Sequence, residues 1–481
     1  MLFGTDGIRG PASLFFDGRL AYNVGRAVAS RFDAPKKIVI ARDTRLSGFD
    51  VEQEVIAGLL ECRAEIYRLE IMPTPAVAEI LKAVGADYGI MISASHNPPE
   101  YNGIKIFDRT GQKLTADEEV EIEKKFFEAQ NGSSIPKNGD IGNTSRGGEA
   151  ADSAKNADNA RGLSPKGRAF CRGGGKIVNL ANAPEMYAAS LFDRCRPSLK
   201  GLKIKLDCCF GACARLAPDI FARVGASVSA FADEYDGSMI NVSTGSTNIG
   251  FLTANMSAEN DFLGFAFDGD GDRVTAVTPN GFVADGDYIL YILTLYFKKH
   301  GLLRHDTVVG TLMTNTGLER ALNDIGVALI RTDVGDKYVI ESINGGGYSL
   351  GGETSGHIII NENGGGATGD GILSALMLCR ALDDLGVSPD AIGRLYAPYP
   401  LKTAGIAVPE NAKRTLMQNP RLNALKELCE DELRGEGRIL VRGSGTEPKI
   451  RITVEAKSPE LVDDVMRLLE SAYRSEAESL L

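Results

Sequence analysis

Three carboxylates stand at alternate positions in residues 267–273, which read FDGDGDR. They belong to Asp268, Asp270 and Asp272, and glycines separate them. In an extended loop this alternation directs the three side chains to one face, and the glycines let the backbone curve around an ion. Hard oxygen ligands of this kind suit Mg²⁺, which often completes its shell with phosphate oxygens. Carboxylates so close repel one another unless a cation binds, so the segment predicts a divalent metal site.

A calcium loop is excluded, and a cysteine metal or redox site is not favoured. An EF-hand calcium loop needs Gly at its sixth position and Glu at its twelfth, where this chain has Arg273 and Pro279. The segment DCCFGAC brings Cys208, Cys209 and Cys213 together, but no second Cys pair or nearby His completes a zinc site. We interpret these cysteines as small residues at the end of a strand.

A serine followed by a histidine stands in residues 92–107, ISASHNPPEYNGIKIF, directly after an apolar run. One hypothesis makes Ser95 the nucleophile of a hydrolase with His96 beside it, although the context is not Gly-x-Ser-x-Gly. A second makes Ser95 a carrier of phosphate, which needs cations such as Lys105 and amide donors around it. A plain helix N-cap is the third. All three are open at this point.

Two further segments could hold a polar ligand. The segment LGGETSGHIII puts Glu353, Ser355 and His357 at alternate positions, and a carboxylate with a hydroxyl is suited to gripping vicinal sugar hydroxyls. The segment VRGSGTEPKIRI combines arginines and hydroxyls around a tight glycine turn, which is typical of a phosphate cradle or, alternatively, of a charged surface hairpin. The residues of this second segment are Arg442, Ser444, Gly445, Thr446 and Arg451.

A dinucleotide site is not expected, although residues 364–369, GGGATG, satisfy the G-x-G-x-x-G pattern before a predicted helix at 370–382. That site also needs a second strand with an acidic residue about 20 residues further on. Asp383 and Asp384 instead stand at the end of the helix.

Strand-like runs rich in Val and Ile alternate with helical patterns along the chain, which predicts βαβ units and mostly parallel sheets. The runs are 37–41, 88–92, 202–206, 264–267 and 307–312. In such sheets ligands bind beyond the carboxyl ends of the strands. The polar segments described above follow strands, where a site is expected.

The length of 481 residues allows three or four domains. We predict domains at 1–175, 176–281, 282–397 and 398–481. Residues 131–175 contain too few large apolar side chains for a core, so the first domain is expected to end in a flexible linker or surface insertion.

Composition excludes several classes of protein. A hydrophobic share of 43% and a charged share of 24% are typical of globular chains. With a net charge of -11 and no basic run, nucleic acid is not an expected partner. No signal peptide or apolar stretch of about 18 residues is present, so we expect no membrane association and a cytoplasmic location. Eight cysteines in so long a chain do not form a disulfide framework.

Four loops, SASHNP, DGDGDR, GETSGH and RGSGTEP, occur in this order and closely resemble those of the α-D-phosphohexomutase superfamily. The resemblance covers nearly the whole chain, with 131–175 the main departure. Residues 3–10, FGTDGIRG, and 72–78, MPTPAVA, are similar to its phosphoglucosamine mutase branch. The resemblance implies an α/β protein of four domains around a central cleft. Three would be related α/β domains with mixed, mostly parallel sheets, and the C-terminal one a smaller α+β domain.

The resemblance also implies roles for the residues singled out above. Ser95 matches the phosphoserine, which with Asp268, Asp270 and Asp272 would bind one Mg²⁺ per chain. The charged residues expected at the reaction centre are Arg9, His96, Lys105, Arg273 and His357. Those expected to bind substrate are Arg273, Glu353, Ser355, Arg442, Ser444, Gly445, Thr446 and Arg451. Either Lys105 or His357 would handle the hydroxyl proton.

The implied reaction interconverts glucosamine 6-phosphate and glucosamine 1-phosphate, on the route to UDP-N-acetylglucosamine. It would pass through a phosphoserine enzyme and a hexose bisphosphate that is both intermediate and activator, in a monomer or homodimer. Mannose or glucose phosphates are the alternative substrates, because Thr354 occupies a loop position that varies with substrate preference among relatives. From other classes, a non-catalytic sugar-phosphate binding protein and a hydrolase without phosphoserine remain to be tested.

Overall fold

Four β-sheets follow one another along the chain in the computed structural model, which describes residues 2–4, 7–16, 19–31, 36–131, 175–259, 261–362, 368–443 and 448–479. The predicted insertion at 131–175 lies almost wholly outside these residues. Within them, no helix combines the length and the apolar character that crossing a bilayer requires.

The first sheet is mixed and has six strands in the order β1-β5-β4-β2-β3-β6. Its strands are β1 (Ile8–Pro11), β2 (Lys37–Arg42), β3 (Glu65–Ile71), β4 (Tyr88–Ile92), β5 (Tyr101–Phe107) and β6 (Lys176–Asn179). Its helices are α1 (Leu20–Ala29), α2 (Gly48–Glu61), α3 (Thr74–Val84) and α4 (Ala116–Asn131). Strands β4, β2, β3 and β6 pair in parallel, whereas β5 pairs antiparallel with both β4 and β1. All five residues of β4 are buried, as the apolar run before Ser95 predicted.

The second sheet is also mixed, in the order β11-β10-β9-β7-β8. Its strands are β7 (Lys203–Asp207), β8 (Ser227–Phe231), β9 (Leu263–Phe267), β10 (Val274–Val277) and β11 (Val283–Ala284). The helices of this part are α5 (Ala183–Arg194), α6 (Leu216–Arg223) and α7 (Gly250–Asn255). Strand β7 pairs in parallel with β8 and β9, and β9 and β10 form an antiparallel pair that encloses the three-aspartate segment.

The third sheet has the order β13-β12-β14-β15. Its strands are β12 (Thr307–Thr311), β13 (Ala328–Thr332), β14 (Leu350–Gly352) and β15 (Ile358–Ile360). Its helices are α8 (Gly286–Lys299), α9 (Thr316–Asp324), α10 (Asp336–Gly346) and α11 (Gly371–Leu385). Strands β14 and β15 form an antiparallel pair around the GETSGH segment.

The last sheet is small and antiparallel, in the order β16-β18-β17. Its strands are β16 (Leu401–Ala407), β17 (Gly437–Gly443) and β18 (Lys449–Ala456). Its helices are α12 (Glu410–Met417), α13 (Pro420–Glu432) and α14 (Pro459–Glu478). The RGSGTEP segment lies between β17 and β18 in the sequence. Because this part consists of an antiparallel sheet and three helices, it is the expected smaller α+β unit.

One apolar cluster connects the first three units, and the first unit has a second cluster of its own around Ile8, Val55 and Ile104. A single cluster of buried side chains extends from Met91 and Phe107 in the first sheet, through Phe265 in the second, to Leu350 and Leu376 in the third unit. The C-terminal unit has its own cluster, which includes Ile450 on β18 and Leu469 on α14. The predicted fold class, three α/β units and one smaller α+β unit, is confirmed.

The five predicted strand runs each coincide with a strand to within one residue. Two strands, however, lie beyond the predicted end of the domain whose sheet they join. Strand β6 begins at Lys176 and pairs with β3 of the first sheet, and β11 ends at Ala284 within the second sheet. The boundaries at 175 and 281 stay predictions.

Candidate active site

Ser95 lies just beyond the end of β4, with its backbone in the left-handed region at a φ of 52°. Its N–H donates to Ser93 Oγ at 2.8 Å, and its carbonyl accepts from Arg45 Nη2 and Asn241 Nδ2, each at 2.9 Å. A non-glycine residue persists in this conformation only where its surroundings hold it there. Because these contacts all fix the backbone, the side-chain oxygen is directed into the site.

Arg45 is the centre of the network that holds the serine loop. It is 1% exposed and forms an ion pair with the buried Asp43 at 3.0 Å. Its guanidinium also donates to the carbonyl oxygens of Ser95, Asn97, Pro98 and Tyr101. Asp43 in turn accepts from Ser93 Oγ at 2.6 Å. Sequence reasoning missed Asp43, Ser93 and Arg45, although charged residues directly after a buried strand were a usable signal.

Arg45→Lys is expected to lower the free energy of unfolding by about 2–4 kcal/mol, because one ammonium cannot replace a planar guanidinium that donates in several directions. It should also slow phosphorylation of Ser95. Urea denaturation and intact-protein mass spectrometry measure the two effects. Arg223→Lys on α6, at a half-exposed side chain, is the matched control and should change neither. Equal stability of Arg45→Lys and the wild type would contradict this role of Arg45.

The three-aspartate segment forms a tight turn, where the sequence predicted an extended loop. The N–H of Gly271 donates to the carbonyl of Asp268 at 3.0 Å, and Gly271 has a φ of 71°. One oxygen from each of Asp268, Asp270 and Asp272 nevertheless lies within 4.8 Å of the others, and all three residues are buried. The predicted convergence is therefore present, although the glycine turn rather than strand alternation produces it.

Ser95 and Lys105 both contact this carboxylate cluster. Ser95 Oγ donates to Asp268 Oδ2 at 2.6 Å. Lys105 lies on β5 opposite Met91 of β4, and its Nζ donates to Asp270 Oδ2 at 2.7 Å and Asp272 Oδ2 at 2.9 Å. The pairing of β4 with β5 thus brings the candidate nucleophile and a buried cation to the same carboxylates.

The carboxylates differ in how strongly they hold a proton. Burial, together with Asp272 and Asp270, raises the pKa of Asp268 well above its usual range. Burial acts on Asp272 in the same direction, but Lys105 and His357 outweigh it and hold the pKa of Asp272 well below its usual range. Within the described residues, Asp270 Oδ1 is buried and accepts no hydrogen bond. A buried, all-oxygen set with an unsatisfied carboxylate oxygen fits a hard divalent cation.

His96 lies against Ser95, where its surroundings disfavour a positive charge on the imidazole. Its Nδ1 is 3.4 Å from Ser95 Oγ and 3.1 Å from Arg273 Nη1. Burial, Arg273 and Arg9 lower the pKa of His96 to about 3. A general base works best with a pKa near the operating pH, so this imidazole is a poor base for a hydrolytic serine.

His357 lies on the other side of the cluster and is almost completely buried. Its Nδ1 is 3.6 Å from Asp272 Oδ1, and its Nε2 is 3.5 Å from Asp336 Oδ2. Burial opposes its protonation, but the two carboxylates outweigh burial and raise the pKa of His357. Asp336 begins α10 and also pairs with Lys113 of the first unit, a contact that sequence reasoning missed.

The predicted sugar loop is the turn between β14 and β15. Glu353 is buried and accepts from the N–H of Gly335 at 3.1 Å, whereas Ser355 is exposed. Gly356 has a φ of 88°, and a Cβ there would lie 2.1 Å from the carbonyl oxygen of Val274. The glycine therefore lets the sugar loop lie directly against the strand that follows the three-aspartate turn.

The predicted phosphate cradle is described only in part. Arg442 on β17 faces Arg451 on β18 across the antiparallel pair. Burial and Arg451 lower the pKa of Arg442, and Glu353 of the sugar loop acts in the opposite direction. The predicted residues Ser444, Gly445 and Thr446 lie outside the described residues.

Models of known protein families match three parts of the chain. Their descriptions are phosphoglucomutase/phosphomannomutase alpha/beta/alpha domain I for residues 1–133, alpha/beta/alpha domain III for 285–399, and the C-terminal domain for 406–470. These matches contain the serine loop, the sugar loop and the hairpin of β17 and β18, which we call the arginine hairpin because it carries Arg442 and Arg451.

Individual relatives match over nearly the whole length. The phosphoglucosamine mutase of Bacillus subtilis is 37% identical over 477 residues, which cover 98% of each chain. That of a Thermoanaerobacter species is 38% identical over 471 residues, covering 97% of each. Among solved structures, a phosphoglucomutase/phosphomannomutase family protein from Burkholderia thailandensis has a TM-score of 0.75 at 22% identity, covering 99% of this chain and 98% of that one.

Proposed function

This chain belongs to the phosphoglucomutase/phosphomannomutase family, and we propose that it acts as a phosphoglucosamine mutase that interconverts glucosamine 6-phosphate and glucosamine 1-phosphate. The observation that carries this proposal is the position of Ser95 Oγ, 2.6 Å from Asp268 inside a buried carboxylate cluster. Relatives with this activity, 37–38% identical over nearly the whole chain, support the amino-sugar substrate.

Ser95 is proposed to carry the phosphoryl group that is transferred. The bond from Ser95 Oγ to phosphorus breaks while a free hydroxyl oxygen of the hexose phosphate forms its bond to the same phosphorus. The hydroxyl proton leaves to a base, and a hexose bisphosphate results. The bisphosphate then turns around and returns its other phosphoryl group to Ser95. Such a transfer depends on in-line positioning and charge neutralisation more than on covalent chemistry by the protein.

One Mg²⁺ is the proposed cofactor, with Asp268, Asp270, Asp272 and an oxygen on Ser95 as its ligands. When bound, such an ion neutralises charge on the transferring phosphoryl group. Arg9 is proposed to add positive charge beside His96, since it lowers the pKa of that imidazole.

Lys105 and His357 are the two candidates for the proton of the substrate hydroxyl. Both lie against Asp272, Lys105 Nζ at 2.9 Å and His357 Nδ1 at 3.6 Å. The same carboxylate therefore influences whichever group exchanges the proton.

The substrate is proposed to lie between the sugar loop and the arginine hairpin. Glu353 and Ser355 would bind sugar hydroxyls. Arg273 would supply positive charge to the end of the substrate that lies near Ser95. Arg442 and Arg451, with Ser444, Gly445 and Thr446, would hold whichever phosphate is not reacting. Holding either phosphate at one fixed place allows the bisphosphate to react from both ends.

A comparison of substrates tests the proposed activity. Turnover of glucosamine 6-phosphate should exceed that of glucose 6-phosphate and mannose 6-phosphate by about tenfold or more in kcat/KM, because a site that pairs with an amino group discriminates against analogues that lack it. Product analysis should identify glucosamine 1-phosphate. Equal turnover of the three sugars would contradict the amino-sugar assignment but not the mutase chemistry.

A further inference from the structure

A buried aspartate outside the reaction centre joins the sugar loop to the C-terminal unit. Asp287, the second residue of α8, is 1% exposed. Its Oδ1 accepts from Thr354 Oγ1 at 3.0 Å, and its Oδ2 accepts from the N–H of Asn315 at 2.8 Å. Thr354 is the middle residue of the sugar loop, and Asn315 is the N-cap of α9. One carboxyl group therefore holds together two loops that are distant in sequence.

Asn315 extends this path to the last unit. Its side chain donates to the carbonyl of Tyr399 at 3.0 Å and accepts from the N–H of Tyr399 at 2.8 Å, just before β16 begins. The next residue, Thr316, donates its N–H to Glu455 Oε1 at 2.6 Å. Glu455 lies on β18, the strand that also carries Arg451. Hydrogen bonds thus connect the sugar loop to the sheet that bears the phosphate-binding arginines.

The start of α8 also presses against the backbone of the sugar loop. The N–H of Gly286 donates to the carbonyl of Thr354 at 3.1 Å, and a Cβ at Gly286 would lie 1.9 Å from the carbonyl oxygen of Glu353. The helix therefore fixes the loop backbone, and Asp287 fixes the side chain of Thr354. Glu353 and Ser355, the residues on either side of Thr354, are oriented by the same two contacts.

The carboxyl group of Asp287 contributes hydrogen bonds that an apolar side chain at this position could not form. Burial and Asp285 raise the pKa of Asp287 to about 7, whereas the hydrogen bonds from Asn315 and Thr354, and to a smaller extent Arg331 on β13, oppose this shift. A buried ionisable group is costly, whereas an apolar side chain of similar volume avoids the cost. The two hydrogen bonds to Thr354 and Asn315 are therefore the specific property of Asp287.

We propose that Asp287 is a positioning residue of the mutase reaction. By holding Thr354 and Asn315 together, it fixes the position of the sugar loop relative to the arginine hairpin. This inference rests on the proposed function, because that function assigns the sugar to the loop and the phosphate to the hairpin. A loop that holds the sugar equally in ground state and transition state affects KM more than kcat.

Thr354→Val is the first test, because valine has the shape of threonine without the hydroxyl. We expect KM for glucosamine 6-phosphate to rise about five- to twentyfold with kcat within about twofold of wild type. Thr354→Ser keeps the hydroxyl and should restore both values. The matched control is Thr294→Val. Thr294 is buried in α8, the helix that carries Asp287, and its hydroxyl donates to the carbonyl of Leu290 at 2.7 Å. An unchanged KM in Thr354→Val, or an equal rise in Thr354→Ser or Thr294→Val, would overturn the proposal.

The second test is a double-mutant cycle that combines substitutions of Asp287 and Thr354. Asp287→Asn can keep both contacts, accepting from Asn315 with its oxygen and donating to Thr354 Oγ1 with its nitrogen, so near-normal kinetics are expected. Asp287→Ala removes both contacts and should raise KM, and adding Thr354→Val should raise it no further. Thermal melting establishes that each variant is folded. Effects that multiply in the double variant would overturn the proposal, whereas a wild type inactive on every hexose phosphate would instead overturn the proposed function.

Discussion

Replacement of Ser95 by alanine is expected to reduce turnover by at least about a thousandfold and to leave the fold intact, because it removes the proposed phosphate carrier. The loop should keep its shape, since Ser93, Arg45 and Asn241 bind backbone atoms of Ser95 rather than its hydroxyl. Intact-protein mass spectrometry should detect one phosphoryl group on wild type treated with a hexose bisphosphate and none on Ser95→Ala.

Ser374→Ala is the matched control for this variant. Ser374 is a buried serine on α11 whose hydroxyl donates to the carbonyl of Asp370 at 2.6 Å, far along the chain from the serine loop. Its replacement should change neither turnover nor phosphorylation. Full activity of Ser95→Ala, or phosphorylation at another residue in that variant, would refute the assignment of Ser95.

Asp268→Asn is expected to abolish the response to Mg²⁺ and to lower turnover by at least about a hundredfold, because it removes a charged ligand from the proposed metal site. The local hydrogen bonds can remain. The asparagine oxygen can accept from the N–H of Arg273, as Asp268 does at 3.2 Å, and its nitrogen can donate to Ser95 Oγ. Thermal melting with and without Mg²⁺ measures the response, because a ligand that binds the folded state raises its stability.

Without metal, Asp268→Asn should be at least as stable as the wild type. The pKa of Asp268 is raised in the folded state, so its contribution to stability is present at low pH and decreases as pH rises above the unfolded value of about 3.9. Asparagine resembles the protonated form and avoids that loss at neutral pH.

Asp261→Asn, at an aspartate paired with Lys205 at 2.9 Å, controls for loss of a buried negative charge and should keep the full Mg²⁺ response. Treatment of wild type with EDTA should stop turnover, and added Mg²⁺ should restore it. A normal Mg²⁺ response in Asp268→Asn would exclude this residue as a ligand.

The parts of the site that sequence could predict are those encoded over a few residues. The spacing of Asp268, Asp270 and Asp272, and a serine after the buried strand β4, could be recognised locally. Even there the spacing predicted the convergence of the carboxylates but gave an extended loop where the chain forms a tight turn. The turn at Gly271 that brings them together depends on its φ of 71°, which spacing alone does not specify.

The missed residues act through contacts between distant segments. Arg45 follows β2 but binds the carbonyl groups of a loop about fifty positions later, and Asn241 reaches the same loop from the second unit. Asp287 has an ordinary place near the start of a helix, and its importance comes from Thr354 and Asn315. No short pattern marks such residues, because their partners are chosen by packing between units.

The apolar clusters of the described residues imply that the C-terminal unit is coupled less tightly to the first three units than those units are to one another. One cluster of buried side chains extends through the first three units, although the first unit also has a second cluster that includes Ile8, Val55 and Ile104. Local opening of the shared cluster in one unit therefore disturbs the other two. The C-terminal unit is stabilised by a separate cluster around Ile450 and Leu469. Denaturation therefore need not be all-or-none, and the arginine hairpin can unfold while the serine loop and the three-aspartate turn stay folded.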